Sequence, residues 1–185
     1  MIELYFSLSS PWLFLTLLYN NKCLASIQKE NFRLHSENFL THLKQILEKC
    51  HFTLPQINRI YFTSVPSGHT GLRVSLAFLS TLQVLNPQIE IYHINTLLLQ
   101  SGGESCLSLL TIDNQGNKYH AAVCKQKKFL LPPRIIFKEN LTELKEEFSN
   151  FPILKNFCQV DFLKNFQKLK KDFKLLRKIE EIPID

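Results

Sequence analysis

Apolar residues crowd the first part of the chain in two runs, Ile2 to Leu8 and Trp12 to Tyr19, separated by Ser9-Ser10-Pro11. Both runs read as strands, and Asn20-Asn21 turns the chain again into a third, Lys22 to Gln28, completing a meander. The period then changes. Phe39, Leu40, Leu43, Ile46, Leu47 and Cys50 recur at helical spacing and predict a helix over 36–51. A strand at 59–65, a helix at 70–85 and a short strand at 89–93 follow. Strands and helices alternate after the opening meander, which predicts an α/β fold with helices packed on a sheet.

Past Gln100 the pattern is different, and Gly102-Gly103 reads as a boundary or loop. Residues 106–112 and 118–123 suggest a hairpin across Asp113-Asn114-Gln115-Gly116-Asn117. Pro132-Pro133 breaks the chain before a further apolar run, residues 134–137. Asn140 and Glu143 have capping-box spacing for a helix to Asn150, with Pro152 beyond it. Phe162, Phe166, Leu169, Phe173 and Leu176 alternate in steps of four and three, one apolar stripe of a closing helix. The expected organisation is a lobe over 1–100 and a reduced lobe over 101–185, ending in a basic amphipathic helix.

The chain of 185 residues is long enough for a real core. Its five cysteines are scattered without a CxxC pair, so neither a disulfide framework nor a zinc site is indicated, and a reducing cytoplasm is the expected compartment. The apolar start carries Glu3, lacks a positive leading region and is interrupted at Ser9-Ser10-Pro11, which argues against a signal anchor or membrane span. A net charge of +6 and a pI near 9.1 permit contact with RNA. Lys164, Lys168, Lys170, Lys171, Lys174, Arg177 and Lys178 concentrate that charge near the C-terminus, without an aromatic stacking platform; tRNA contact stays open.

The stretch Pro66-Ser67-Gly68-His69-Thr70-Gly71-Leu72-Arg73 joins a strand to a helix. Pro66 biases Val65 away from helical backbone, Gly68 and Gly71 allow close approach, and Thr70 is the expected N-cap. Arg73 in the first turn opposes the helix dipole by roughly 0.3–1 kcal/mol, so a compensating anion is expected beside it. The helix that follows is apolar around nearly its whole circumference, so it is either buried centrally or shared with a partner. His35 and His42 are too far apart along a helix to hold one ion together, so no metal is expected, and nothing singles out a cysteine nucleophile.

The loop with Val65 resembles that of the TsaB (YeaZ) family, Gly-Pro-Gly-Ser-Phe-Thr-Gly-Leu-Arg. Pro66, Thr70, Gly71, Leu72 and Arg73 match it, while Val65, Ser67, Gly68 and His69 depart. His35-Ser36-Glu37 resembles the family's helix start, and Ile94-Asn95-Thr96-Leu97 lies where the family has Val-Ser-Ser-Leu. The resemblance implies an actin-like (ribonuclease H-like) lobe. It implies a subunit with no chemistry or cofactor of its own, which pairs with the catalytic paralogue TsaD to place threonylcarbamoyl on the adenosine next to the anticodon of tRNAs, with the ATPase TsaE joining the pair. Two features fit a non-catalytic role. Ser7 falls where the related pattern Ile-Asp-Thr-Ser-Thr has its acid, and Phe39 stands where TsaD would place the second histidine of its metal pair. The implied partner surface is the two helices 36–51 and 70–85, through Phe39, His42, Leu43 and Ile46 on the first and Val74, Phe78 and Leu82 on the second. Without TsaD the same surface would support a homodimer. The alternatives are a nucleotide-dependent transferase or peptidase-like enzyme in its own right, or a degenerate relative with a different partner.

Overall fold

The computed structural model describes residues 1–8, 12–30, 35–113, 115–158 and 160–183, without the side chains of 35–37 and 69. The turn expected at Ser9-Ser10-Pro11 therefore lies outside the described residues, as does Asn114 in the second hairpin. The chain forms two compact units, Met1–Ile94 together with Phe173–Asp185, and Asn95–Asp172.

In the first unit β1 (Ile2–Ser7), β2 (Trp12–Tyr19) and β3 (Lys22–Glu30) form the antiparallel meander, and α1 (His35–Lys49) leads to β4 (Arg59–Thr63). The helix α2 (His69–Leu85) then connects β4 to β5 (Glu90–Ile94), and both strands run parallel to β1. The sheet is closed by Lys174–Leu175, which pairs antiparallel with β5 at the edge. Alternation along β1 puts Leu4 and Phe6 on the face that carries α1 and α2, where they join Ile60, Phe62 and Ile91 from the parallel strands. The rings of Phe6, Phe39 and Phe78 lock sheet and both helices together, with centroids 5.2 Å (Phe6–Phe39), 5.0 Å (Phe39–Phe78) and 6.0 Å (Phe6–Phe78) apart. The apolar circumference of α2 has a partial explanation within the chain. Leu72, Leu76, Leu79 and Leu82 are buried, and Ile179 and Ile182 of the C-terminal segment pack into the same core.

The second unit opens with α3 (Thr96–Ser101), capped by Asn95, whose side chain accepts from Leu97 N and Leu98 N. It continues with β6 (Cys106–Thr111), β7 (Lys118–Lys125), β8 (Lys128–Phe137), α4 (Lys138–Glu147), β9 (Ile153–Lys155) and α5 (Phe162–Lys168). The sheet order is β8-β7-β6-β9, with β9 parallel to β6 and the others antiparallel. Leu107, Leu109, Tyr119, Ala121, Val123 and Ile136 form one face, covered by Leu141 and Leu144 of α4. The buried amide of Gln100 ties α3 to this sheet, donating to Ser108 Oγ at 2.7 Å and Leu109 O at 3.1 Å and accepting from Phe157 N.

Three expectations need correction. Pro132 and Pro133 do not break the chain but lie within β8, which is tolerable because β8 is an edge strand and its register slips between Ala121 and Val123 of β7. Helix α4 starts at Lys138 behind Phe137, before the expected cap at Asn140, and stops at Glu147. The closing apolar stripe is not one helix. After α5 the chain turns at Lys170–Asp172, where Lys127 Nζ binds Lys168 O at 3.3 Å and Asp172 Oδ2 at 2.9 Å. Phe173 then stacks edge-on against Tyr61 at 5.3 Å, and Leu176 donates to Ile91 O, both in the first unit. The seven basic residues accordingly follow α5, a turn, a strand and a loop, not one helical face. Among the described residues no helix is long and apolar enough to cross a membrane.

Candidate functional site

The carboxyl ends of the parallel strands are where open α/β sheets collect ligands, so the chemistry of Ser7, Thr63, Ser64 and His93 decides what this lobe can do. All four side chains are neutral and mutually engaged. Ser7 Oγ lies 2.8 Å from Thr63 Oγ1, with both residues buried. Ser64 Oγ donates to Ile94 O at 3.2 Å, which spends its proton, so His93 Nδ1 at 3.1 Å must donate to the same oxygen. None of these groups is an acid that could hold magnesium.

His93 is held neutral by its surroundings. Burial lowers its pKa below the ordinary 6.5, Lys174 on the neighbouring strand lowers it further, and Glu181 opposes them. The unfolded chain takes that proton near pH 6.5 and the folded chain only below it, so the stability contribution is complete above 6.5 and declines as the pH falls. Urea midpoints are expected to be lower at about pH 5.5 than at about pH 7.5, with a smaller drop in His93→Gln. An unchanged drop in the variant would assign the pH dependence to other groups.

The loop after β4 carries the family-like residues. Gly68, not Thr70, is the N-cap of α2, and it caps through backbone geometry alone. The helix starts one residue earlier than expected, so Thr70 lies exposed inside the first turn. Pro66 and Leu72 are buried. Gly71 has a definite structural task, because an added Cβ would sit 2.2 Å from Leu8 O. Arg73 is exposed and lines a groove of about 530 Å³ between α2 and the C-terminal segment, where Glu180 is the acid among the lining residues.

The residues expected at a partner surface divide by burial. Phe39, Leu43, Ile46, Phe78 and Leu82 are packed in the chain's own core and hold α1 and α2 to the sheet. His42 and Val74 are half-buried, and His42 Nδ1 is 3.0 Å from Gln45 Oε1 on the same helix. The apolar side chains that do face outward are Leu40, 56% exposed, on α1 and Val84, 81% exposed, with Leu85 on α2. Spacing alone could not separate these from the core set, since both helices are apolar on more than one side. Among the described residues no group of three His, Cys, Asp or Glu is placed to hold a metal.

The family model for TsaD, the tRNA N6-adenosine threonylcarbamoyltransferase, matches residues 26–102, which span α1, the loop, α2, β5 and α3. The tRNA threonylcarbamoyladenosine biosynthesis protein TsaB of Buchnera aphidicola is 29% identical over 80 residues, 43% of this chain and 38% of that protein. YeaZ from Pseudomonas aeruginosa superimposes with a TM-score of 0.58 at 17% identity, over 74% of this chain and 66% of that one. The chain is similar to TsaB and YeaZ in sequence over this region and in fold. Its two mixed sheets with packed helices have the actin-like fold of YeaZ. A second relative, the uncharacterized MG208 homolog of Mycoplasma pneumoniae, is 23% identical over 134 residues, 70% of this chain and 66% of its own length. The chain thus spans 66% and 38% of the length of these two curated relatives. Within the matched region, Pro66 and Gly71 serve packing in this chain, while the departures Val65, Ser67 and Gly68 sit where the loop rounds into α2.

Proposed function

We propose that this chain is a non-catalytic subunit for threonylcarbamoylation of the adenosine next to the anticodon of tRNA, acting by pairing with a TsaD-like catalytic subunit. The observation that carries the reading is the Ser7–Thr63 hydroxyl pair at the strand ends of a lobe that resembles TsaD: the position suited to an acid is filled by a neutral, satisfied contact. The partner would dock on the outward side of α1 and α2, with Leu40, Val74 and Val84 as the apolar contacts and His42 at their margin. The inward set, Phe39, Leu43, Ile46, Phe78 and Leu82, would keep the two helices in register for it.

Co-purification with the TsaD of the same organism, followed by size-exclusion chromatography with light scattering, is expected to give a stoichiometric heteromer. Clean separation of two folded proteins would overturn the pairing. The purified chain alone is expected to leave ATP intact; hydrolysis that disappears in Thr70→Ala would replace this reading with that of an independent enzyme.

A further inference from the structure

Arg73 sits beside the positive end of the α2 dipole, a place that favours an anion, and among the described residues it makes no ion pair. Neither does Glu180, the acid on the facing wall of the same groove. Both residues are exposed, and both belong to the first unit. The anion that the position of Arg73 calls for is therefore not Glu180, and Glu180 in turn lacks a cation. A guanidinium and a carboxylate line one groove from opposite walls without meeting.

Between the two charges the groove is apolar. Leu76, one helical turn after Arg73 on the same face of α2, is 4% exposed. Ile182 of the C-terminal segment is as deeply buried, and Ile179 packs half-buried against the same core. Ala77 offers only a methyl group, which keeps the α2 wall low above Leu76. The volume of about 530 Å³ falls in the range of about 300–1,000 Å³ in which small-molecule sites are found.

Three requirements follow for an occupant: an anion for Arg73, a cation for Glu180 and an apolar body for Leu76, Ile179 and Ile182. A fatty acid or a peptide carboxyl terminus brings the anion without the cation, and a peptide amino terminus the reverse. A free α-amino acid carries both charges on one carbon, so it can bridge two walls whose own charges do not touch. We propose that this groove binds a free aliphatic α-amino acid, with its carboxylate on Arg73, its ammonium on Glu180 and its side chain over Leu76, Ile179 and Ile182. The planar guanidinium suits bidentate recognition of a carboxylate. Because both charges stand at a rim open to water, the affinity is modest, about 1 mM. The site uses none of the side chains proposed to meet TsaD, and it does not depend on that pairing.

NMR titration of the isotope-labelled full chain with L-isoleucine, at about pH 6.5 so that free amines keep their proton, tests it. Saturable shifts are expected at Arg73, Ala77 and Glu180, with Leu40 and Val84 unmoved. N-acetyl-L-isoleucine lacks the ammonium and L-isoleucinamide lacks the carboxylate, and each should bind about tenfold more weakly. Arg73→Gln should abolish the preference for isoleucine over its amide and keep the preference over the N-acetyl form; Glu180→Gln should do the opposite. Both side chains are exposed, so both variants should keep the wild-type circular dichroism. The absence of saturable shifts up to about 20 mM isoleucine overturns the proposal. Binding that ignores both caps, or preferences that survive both substitutions, overturns it as well. None of these results bears on the TsaD pairing, which co-purification tests separately.

Discussion

Gly71→Ala is expected to destabilise the first unit by about 3 kcal/mol, at the upper end of what overpacking costs. The sign is the informative part. Alanine in place of glycine inside a helix ordinarily stabilises by about 1 kcal/mol, because the unfolded chain has less freedom to lose. Gly71 is the third residue of α2 and its backbone is not in the left-handed region, so helix propensity alone predicts a gain. Sterics predict a loss. The Cβ would lie 2.2 Å from Leu8 O and 3.3 Å from Leu8 C, both backbone atoms of the segment that leaves β1, and a backbone cannot swing aside as a side-chain tip can. Relief requires the start of α2 to move off the sheet, carrying Leu72 out of the core and disturbing the bond from Ser75 Oγ to Gly71 O at 2.8 Å. Urea unfolding of wild type and variant measures the difference. A variant as stable as wild type, or more so, would mean that α2 does not approach β1 this closely.

The same glycine illustrates what the chain's sequence makes legible. The order of strands and helices through β5 follows from periodicity, and the strand-loop-helix junction follows from Pro66 and the glycines. Whether Gly71 serves a turn or a close approach depends on Leu8, which only the fold brings near. Short elements escape for another reason. Helix α3 has six residues and β9 three, too few for a period to register. The terminal stripe misleads because its spacing fits one helix while its residues serve two cores, Phe162, Phe166 and Leu169 in one unit and Phe173 and Leu176 in the other. At the candidate site, Ser7 was identifiable from the chain alone. Its partner Thr63 and the Ser64–His93 contact were not, since they arise from the parallel register of β1, β4 and β5.

Leu43→Glu and Leu40→Glu are expected to fail in different ways, and that difference tests the proposed partner face most severely. Leu43 is 2% exposed, in the core with Phe39 and Ile46. A glutamate there loses the leucine's packing and must either bury an unpaired carboxylate or take up a proton. Either course costs several kcal/mol, enough to unfold a lobe of ordinary stability. Loss of TsaD binding by that variant would therefore report loss of the fold. Leu40 lies three residues earlier on the same helix but is 56% exposed, so Leu40→Glu should keep the wild-type circular dichroism and a nearly unchanged urea midpoint. If the outward side of α1 meets TsaD, the same substitution places a charge in an apolar contact and should weaken the complex by about 2 kcal/mol or more, roughly thirtyfold in Kd. Val84→Glu, at the far end of α2, gives an independent reading of the second helix. A Leu43→Glu protein that is fully folded and has lost TsaD would invert the assignment, because a carboxylate is tolerated there only if the side chain faces outward. Leu40→Glu and Val84→Glu proteins that are folded and bind TsaD as tightly as wild type would remove this face from the interface.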